Sequence, residues 1–292
     1  MIVNSSAAAK SLLEALEMVK SNAAVWRAVH VYIPSMKNSW DMMNLQTAIQ
    51  NMRKCIPDHY MAQAFFCETG DVFILLRGAS AELMAKVQEI TVLSLSKGQE
   101  SREITKTLYE LGTQWSQLKE MAAKISIESQ KYLVVKEMPV DERVNHVLSR
   151  TNMNFVQSLI KLREKRKHLH ILIAEDDDLL QQYVSSMLTD YTLIKARKGE
   201  DVLVSYLLNA PDMVFLDIEL PEINGHRLLE EMKKVDRDVF AVMMSGHTQM
   251  KHVKRSIQAG AKGFVAKPFQ KEKIKSCVEA CANLKGLYAM SG

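Results

Sequence analysis

The chain has 292 residues, of which 47 % are hydrophobic and 25 % charged, with a formal net charge of +4. That suits a soluble globular protein long enough for about two domains. No apolar run approaches the roughly 18–20 residues that span a bilayer, and the opening MIVNSSAAAKSLLEALEMVK has no basic start followed by an apolar stretch, so no membrane segment or secretory signal is read and a cytoplasmic location is expected.

Four scattered cysteines, Cys55, Cys67, Cys277 and Cys281, include no C-x-x-C pair and give no disulfide framework. Cys277 and Cys281 share a helix face, but no further ligand follows at zinc-site spacing, so all four are read as ordinary thiols. Charge is uneven. Residues 1–168 carry 22 Lys+Arg and 17 Asp+Glu, a net +5, whereas residues 169–292 carry 16 and 17, a net −1. The excess lies largely in KLREKRKH, residues 161–168. This stretch could meet phosphates or an acidic partner, or form the solvated end of a linker helix whose positive charge suits the helix dipole.

In chain order, the first half reads as strand AVWRAVHVYI, helix DMMNLQTAIQNMRKCI, strand YMAQAFFCE, turn TGD, strand VFILLRG and helix SAELMAKVQEITVLSL. This βαββα order with a tight hairpin, residues 1–98, suggests an α+β module, half of a ferredoxin-like or nucleotidyl-cyclase-like layer. The turn TGDVF, residues 69–73, faintly resembles the signature turn of diguanylate cyclases. Its second acidic position is Val72, and HVYIPSMKN offers no metal-binding aspartate, so the resemblance implies a degenerate, noncatalytic relative. Residues 99–168 read as a helical region and connector, broken near Pro139. Val144, Leu148, Thr151, Phe155, Leu159 and Leu162 recur at three and four spacing and form one apolar stripe. The stripe would either pair two subunits or lie on its own N-terminal domain.

Residues 169–292 alternate in type. Strands LHILIA, TLIKA, DMVFLD, VFAVMMS and GFVAK each precede a helix: DLLQQYVSSMLTD, GEDVLVSYLLN, GHRLLEEMKKV, QMKHVKRSIQAG and KEKIKSCVEACANLK. Continuous apolar runs are what strands buried on both faces require, so a doubly wound five-stranded parallel sheet of flavodoxin-like α/β class is expected. In such sheets the usable crevice lies beyond the carboxyl ends of the strands. Glu175 and Asp176 end the first strand, Asp217 the third, Ser245 the fourth and Lys267 the fifth. Clustered carboxylates repel unless a cation joins them, and hard oxygens suit magnesium. An aspartate can also be a nucleophile that takes a phosphoryl group. Asp177 and Asp178 then begin the following helix, one of them as its cap.

ILIAEDD, FLDIELPEINGH, the small hydroxyl residue before Gly246 and KPF, in this order and spacing, closely resemble the receiver domain of two-component response regulators. The resemblance implies that Asp217 is the phosphoacceptor, that Asp176 ligates Mg2+ directly, and that Glu175 acts through metal-bound water. It makes the backbone carbonyl of Glu219 a further ligand. Ser245 becomes the switch hydroxyl, Lys267 the ion-pair partner of the phosphoryl group, and Phe264 the aromatic switch. The Lys267–Pro268 bond is expected to be cis.

The whole chain is therefore expected to be a response regulator, not an enzyme beyond its own phosphoryl transfer and dephosphorylation. A histidine kinase or phosphotransfer protein would load Asp217, and the N-terminal module or partners would respond. A homodimer would use the connector helix or the face of the fourth helix, fifth strand and fifth helix, which carries Lys251, Lys254, Arg255, Lys262, Lys271, Lys273 and Lys275. That basic face suits an acidic partner or a copy of the chain and is expected to change partners on phosphorylation. The alternatives are a nucleic-acid-binding regulator acting through the basic connector, and an enzyme regulated by the receiver.

Overall fold

A computed structural model describes residues 1–5, 7–37, 40, 42–96, 103–129, 140–246 and 250–285. It divides into two compact units, Met1–Met138 with Ser149–Asn152, and Pro139–Leu148 with Met153–Gly292. Pro139, where the helical pattern was expected to break, lies outside the described residues.

In the first unit, β1 (Ile2–Asn4), α1 (Ala8–Val19), β2 (Trp26–Tyr32), α2 (Met42–Cys55), β3 (Ala62–Phe66), β4 (Asp71–Arg77), α3 (Ala81–Leu95), β5 (Thr105–Glu110) and α4 (Leu111–Ser129) follow one another. The sheet order is β1-β3-β4-β2-β5. β1 runs parallel to β3, and the other neighbours are antiparallel. From β2 to β5 this is a complete βαββαβ layer, extended by β1 at one edge. Alternation along β2 and β4 sends Trp26, Ala28, Phe73 and Leu75 to one face, where they meet Leu12 and Leu16 of α1 and Leu118 and Ala122 of α4. Ser80 starts α3 by accepting the amide of Leu83 at 3.2 Å, as an N-cap does for the unpaired first-turn donors. Gly70 closes the β3–β4 hairpin at φ 90°. A Cβ there would strike the carbonyl of Ile33, so only glycine fits both the backbone and the space.

The second unit opens with α5 (Val140–Ser149) and α6 (Met153–Arg163) and continues as β6 (His170–Ala174), α7 (Asp178–Ser186), β7 (Thr192–Ala196), α8 (Gly199–Asn209), β8 (Met213–Asp217), α9 (Gly225–Val235), β9 (Ala241–Ser245), α10 (Met250–Gln258), β10 (Gly263–Ala266) and α11 (Lys271–Leu284). All five strands are parallel, in the order β10-β9-β8-β6-β7. This is the doubly wound sheet expected from the alternation. Val184, Ile274 and Val278 cover Ile171, Phe215 and Val242 on one face. Asp177 is the cap of α7, its Oδ1 accepting the amides of Leu179 and Leu180 at 2.8 and 2.9 Å.

Two expectations for residues 99–168 are corrected. Thr105–Glu110 is a strand that joins the first sheet beside β2, so a boundary at 98 would cut that layer. The single connector helix is two helices, parted at residues 150–152. Along the stripe, Val144, Thr151, Phe155 and Leu159 are buried and Leu162 is exposed, and α6 is tied to residues of its own unit. Gln157 donates to the carbonyl of Val235 at 3.0 Å. Arg163 donates to Asp236 at 2.7 Å and to the carbonyl of Pro211 at 3.1 Å. Arg166 caps the end of α8 through the carbonyls of Asn209 and Ala210, both at 2.8 Å.

The four thiols are unpaired. Among the described residues, the one group of His, Cys, Asp and Glu side chains close enough for a shared metal ion contains neither Cys277 nor Cys281.

Candidate functional site: an acidic cluster at the strand ends

Parallel strands deliver their C-terminal residues to one rim, and here the rim is acidic. Glu175 follows β6, Asp176 follows it, and Asp217 ends the adjacent β8. One carboxylate oxygen from each lies within 4.8 Å of the others. Glu175 and Asp217 are buried and Asp176 is exposed, so the cluster opens to solvent on the Asp176 side.

Lys267, one residue beyond β10, reaches into the cluster. Its Nζ lies 2.8 Å from Asp217 Oδ2 and 2.9 and 2.8 Å from the two oxygens of Glu175. Burial alone would lower the Lys267 pKa, but the bonds to Asp217 and Glu175 outweigh it and raise it, so the group is a fixed ammonium. The Lys267–Pro268 bond is cis, and the Lys267 amide donates to the Ser245 carbonyl at 2.8 Å. Ser245 is buried at the end of β9, in register with Ala266 of β10. Phe264 is half-buried on β10 opposite Met243. Glu219 donates its amide to Asp217 Oδ1 at 3.2 Å, which places its backbone beside the same carboxylate. Gly225 packs so closely on Asp217 that a Cβ would strike the Asp217 carbonyl, and its amide donates to Ile218 at 3.0 Å.

One ammonium does not neutralise three carboxylates. Burial, reinforced by Asp217 and Asp176, pushes the Glu175 carboxyl up to about 7, against the lowering pull of Lys267. The all-oxygen donor set and its excess negative charge fit a hard divalent cation such as Mg2+. A pH dependence follows. Between the ordinary carboxylate range and about pH 7 the folded chain holds a proton on Glu175 that the unfolded chain has lost, so without a cation stability falls as pH rises through that window. A cation competes with that proton. Added Mg2+ should therefore raise the melting temperature markedly at about pH 8 and little at about pH 5.5. Equal Mg2+ shifts at both pH values, measured by scanning calorimetry, would remove this account of Glu175.

The connector contributes a second buried charged group in the same unit. Arg163 is 8 % exposed, and Asp236 also accepts the hydroxyl of Tyr206 at 2.6 Å. Burial alone would raise the Asp236 pKa, but the hydrogen bonds from Arg163 and Tyr206 outweigh it and hold it below the usual range. The periodicity reading did not find this pair, because its partners stand 73 residues apart.

In the first unit, Asp71, the remaining acid of the TGD turn, is buried. It lies 2.7 Å from His30 Nε2 and accepts the hydroxyl of Thr69 at 2.6 Å. His30 stacks on Phe73 with centroids 4.4 Å apart. The second position of the turn, Val72, is buried as well.

A five-stranded parallel α/β domain with acids at its first and third strand ends and a lysine at its fifth defines the receiver class of signalling domain. The model of the response regulator receiver domain matches residues 171–279. The chemotaxis protein CheY of Bacillus subtilis is 31 % identical over 116 residues, covering 39 % of this chain and 97 % of that protein. CheY of Thermotoga maritima is 31 % identical over 107 residues, covering 36 % and 89 %. The solved receiver domain of NtrX from Brucella abortus is 30 % identical, covering 39 % of this chain and 98 % of that chain, with a TM-score of 0.37. The chain belongs to the response regulator receiver family. Residues 1–170 lie outside the family match. No helix among the described residues is long and apolar enough to cross a membrane.

Proposed function

We propose that Asp217 accepts a phosphoryl group from a phosphohistidine on a kinase or phosphotransfer protein, and that this modification changes the interactions of the chain. The observation that carries this reading is the convergence of Glu175, Asp176 and Asp217 within 4.8 Å, with Lys267 Nζ 2.8 Å from Asp217. Asp217 Oδ attacks phosphorus, the P–O bond forms as the P–N bond breaks, and the imidazole leaves neutral after gaining a proton. Lys267 holds Asp217 in place and offers positive charge to the phosphoryl oxygens. Ser245, on the neighbouring strand, is the hydroxyl that follows the phosphoryl group, and Phe264 on β10 is the aromatic side chain that moves with it. Glu175, Asp176, Asp217 and the backbone carbonyl of Glu219 would hold Mg2+. The ion supplies charge neutralisation for the incoming phosphoryl oxygens.

The first unit is a noncatalytic module. Its one turn aspartate is spent on His30 and Thr69. Nucleic-acid binding through residues 161–168 is not favoured, because Arg163 and Arg166 are committed to Asp236 and to the end of α8.

The test is direct. The full chain, incubated with Mg2+ and either phosphoramidate or acetyl phosphate, is trapped with borohydride and mapped by mass spectrometry. One modification is expected, at Asp217, read as the alcohol that borohydride leaves when it reduces the acyl phosphate and releases phosphate. Labelling elsewhere, with Asp217 unmodified, would overturn the assignment.

A further inference from the structure

We infer that His226 is a positioning residue that links the backbone around Asp217 to α10 through Ser256, a route additional to the chain itself running on from Ser245. The inference rests on Asp217 being the site that is modified. His226 is the second residue of α9 and is 2 % exposed, and Ser256 on α10 is fully buried. The residue before His226 is Gly225, on which a Cβ would strike the Asp217 carbonyl and whose amide donates to the Ile218 carbonyl at 3.0 Å. A displacement of the Asp217 backbone therefore moves the first turn of α9.

The hydrogen bonds fix the state of the ring. Asn224 Oδ1 accepts the backbone amide of His226 at 2.9 Å and lies 3.1 Å from ring Nδ1. An oxygen that already accepts one bond can meet Nδ1 favourably only if Nδ1 carries a proton. Burial, with Arg255 and His252 nearby on α10 and only Glu230 opposing, lowers the His226 pKa. The ring is therefore neutral, and Nε2 is an acceptor.

Nε2 lies 3.0 Å from Ser256 Oγ, which lies in turn 2.9 Å from the carbonyl of His252. The serine has one proton and two acceptors. Turned to Nε2, it joins α9 to α10. Turned to the His252 carbonyl, it closes a bond within α10 and leaves Nε2 facing an oxygen without a hydrogen between them. A hydroxyl rotation coupled to a small shift of either helix thus selects between two discrete arrangements, which is what transmission between sites requires.

Hydrogen exchange of the full chain, with and without beryllofluoride and Mg2+, separates the parts. Protection around residues 217–225 reports occupancy, and protection in residues 250–260 reports transmission. Wild type should change in both. Ser256→Ala removes the shared hydroxyl, and His226→Asn keeps a donor toward Asn224 but lacks a group at the Nε2 position. Both should retain the change at 217–225 and lose at least two thirds of the change at 250–260. His226→Gln, whose amide oxygen can reach Ser256, should restore it. Wild-type transmission in both Ser256→Ala and His226→Asn would overturn the inference, as would a wild type that changes only at 217–225. No protection at 217–225 in wild type would overturn the reading of Asp217 itself, and this inference with it.

Discussion

Asp217→Asn should reduce acyl-phosphate formation to background while the fold persists, whereas Lys267→Ala should still be labelled but fail to respond. The two differ because Asp217 supplies the attacking oxygen and Lys267 supplies charge. An amide has no oxygen of comparable nucleophilicity, and no other described carboxylate sits at the end of a strand beside both Glu175 and Lys267. Lys267 interacts with Asp217 before modification and would meet the phosphoryl group after it, so its differential contact biases the equilibrium between the two states. Removing it also leaves Glu175 and Asp217 without their shared cation, and Mg2+ dependence should steepen. The checks are labelling by acetyl phosphate and hydrogen exchange in beryllofluoride. Labelling of Asp217→Asn at the wild-type level would end the assignment, and a wild-type response in Lys267→Ala would end its role as a switch.

Asp236→Ala should strongly destabilise the second unit. It leaves the Arg163 guanidinium buried without its carboxylate and removes the acceptor of the Tyr206 hydroxyl. Breaking a buried pair from one side costs about 3–5 kcal/mol. Arg163→Met with Asp236→Leu removes both charges together and should cost much less, since apolar replacement of a buried pair is often near neutral. Acid should mimic the single change. The Asp236 pKa is lowered in the fold, so its contribution is present above the unfolded carboxylate range and is lost as pH falls through the lowered value. Urea unfolding of the three proteins would decide. A loss under about 1 kcal/mol for Asp236→Ala would mean that α6 undocks freely.

Much of the second unit was legible in the sequence. β6, β8 and β9 are nearly unbroken apolar runs because each is covered on both faces. Each site residue stands at or just beyond a strand end, so the parallel topology alone brings Glu175, Asp176, Asp217, Ser245 and Lys267 to one rim. Asp177 could be read as a cap from its place before an amphipathic helix. The first unit was harder to read. β1 has three residues, too few for a period, and β5 is a mostly exposed edge strand whose Thr and Tyr content was its one local signal.

The sequence by itself determined the alternation of strand and helix in residues 169–285 and the strand-end placement of the site, since burial on one or two faces writes a period into the chain. Only the tertiary structure decided that Thr105–Glu110 joins the first sheet, that Arg163 and Arg166 are consumed by α8 and Asp236, and that His226 meets Ser256. Those are pairings between residues 30 to 83 positions apart, made by polar groups or an edge strand. Local periodicity records which side of an element is buried, not which distant group satisfies it.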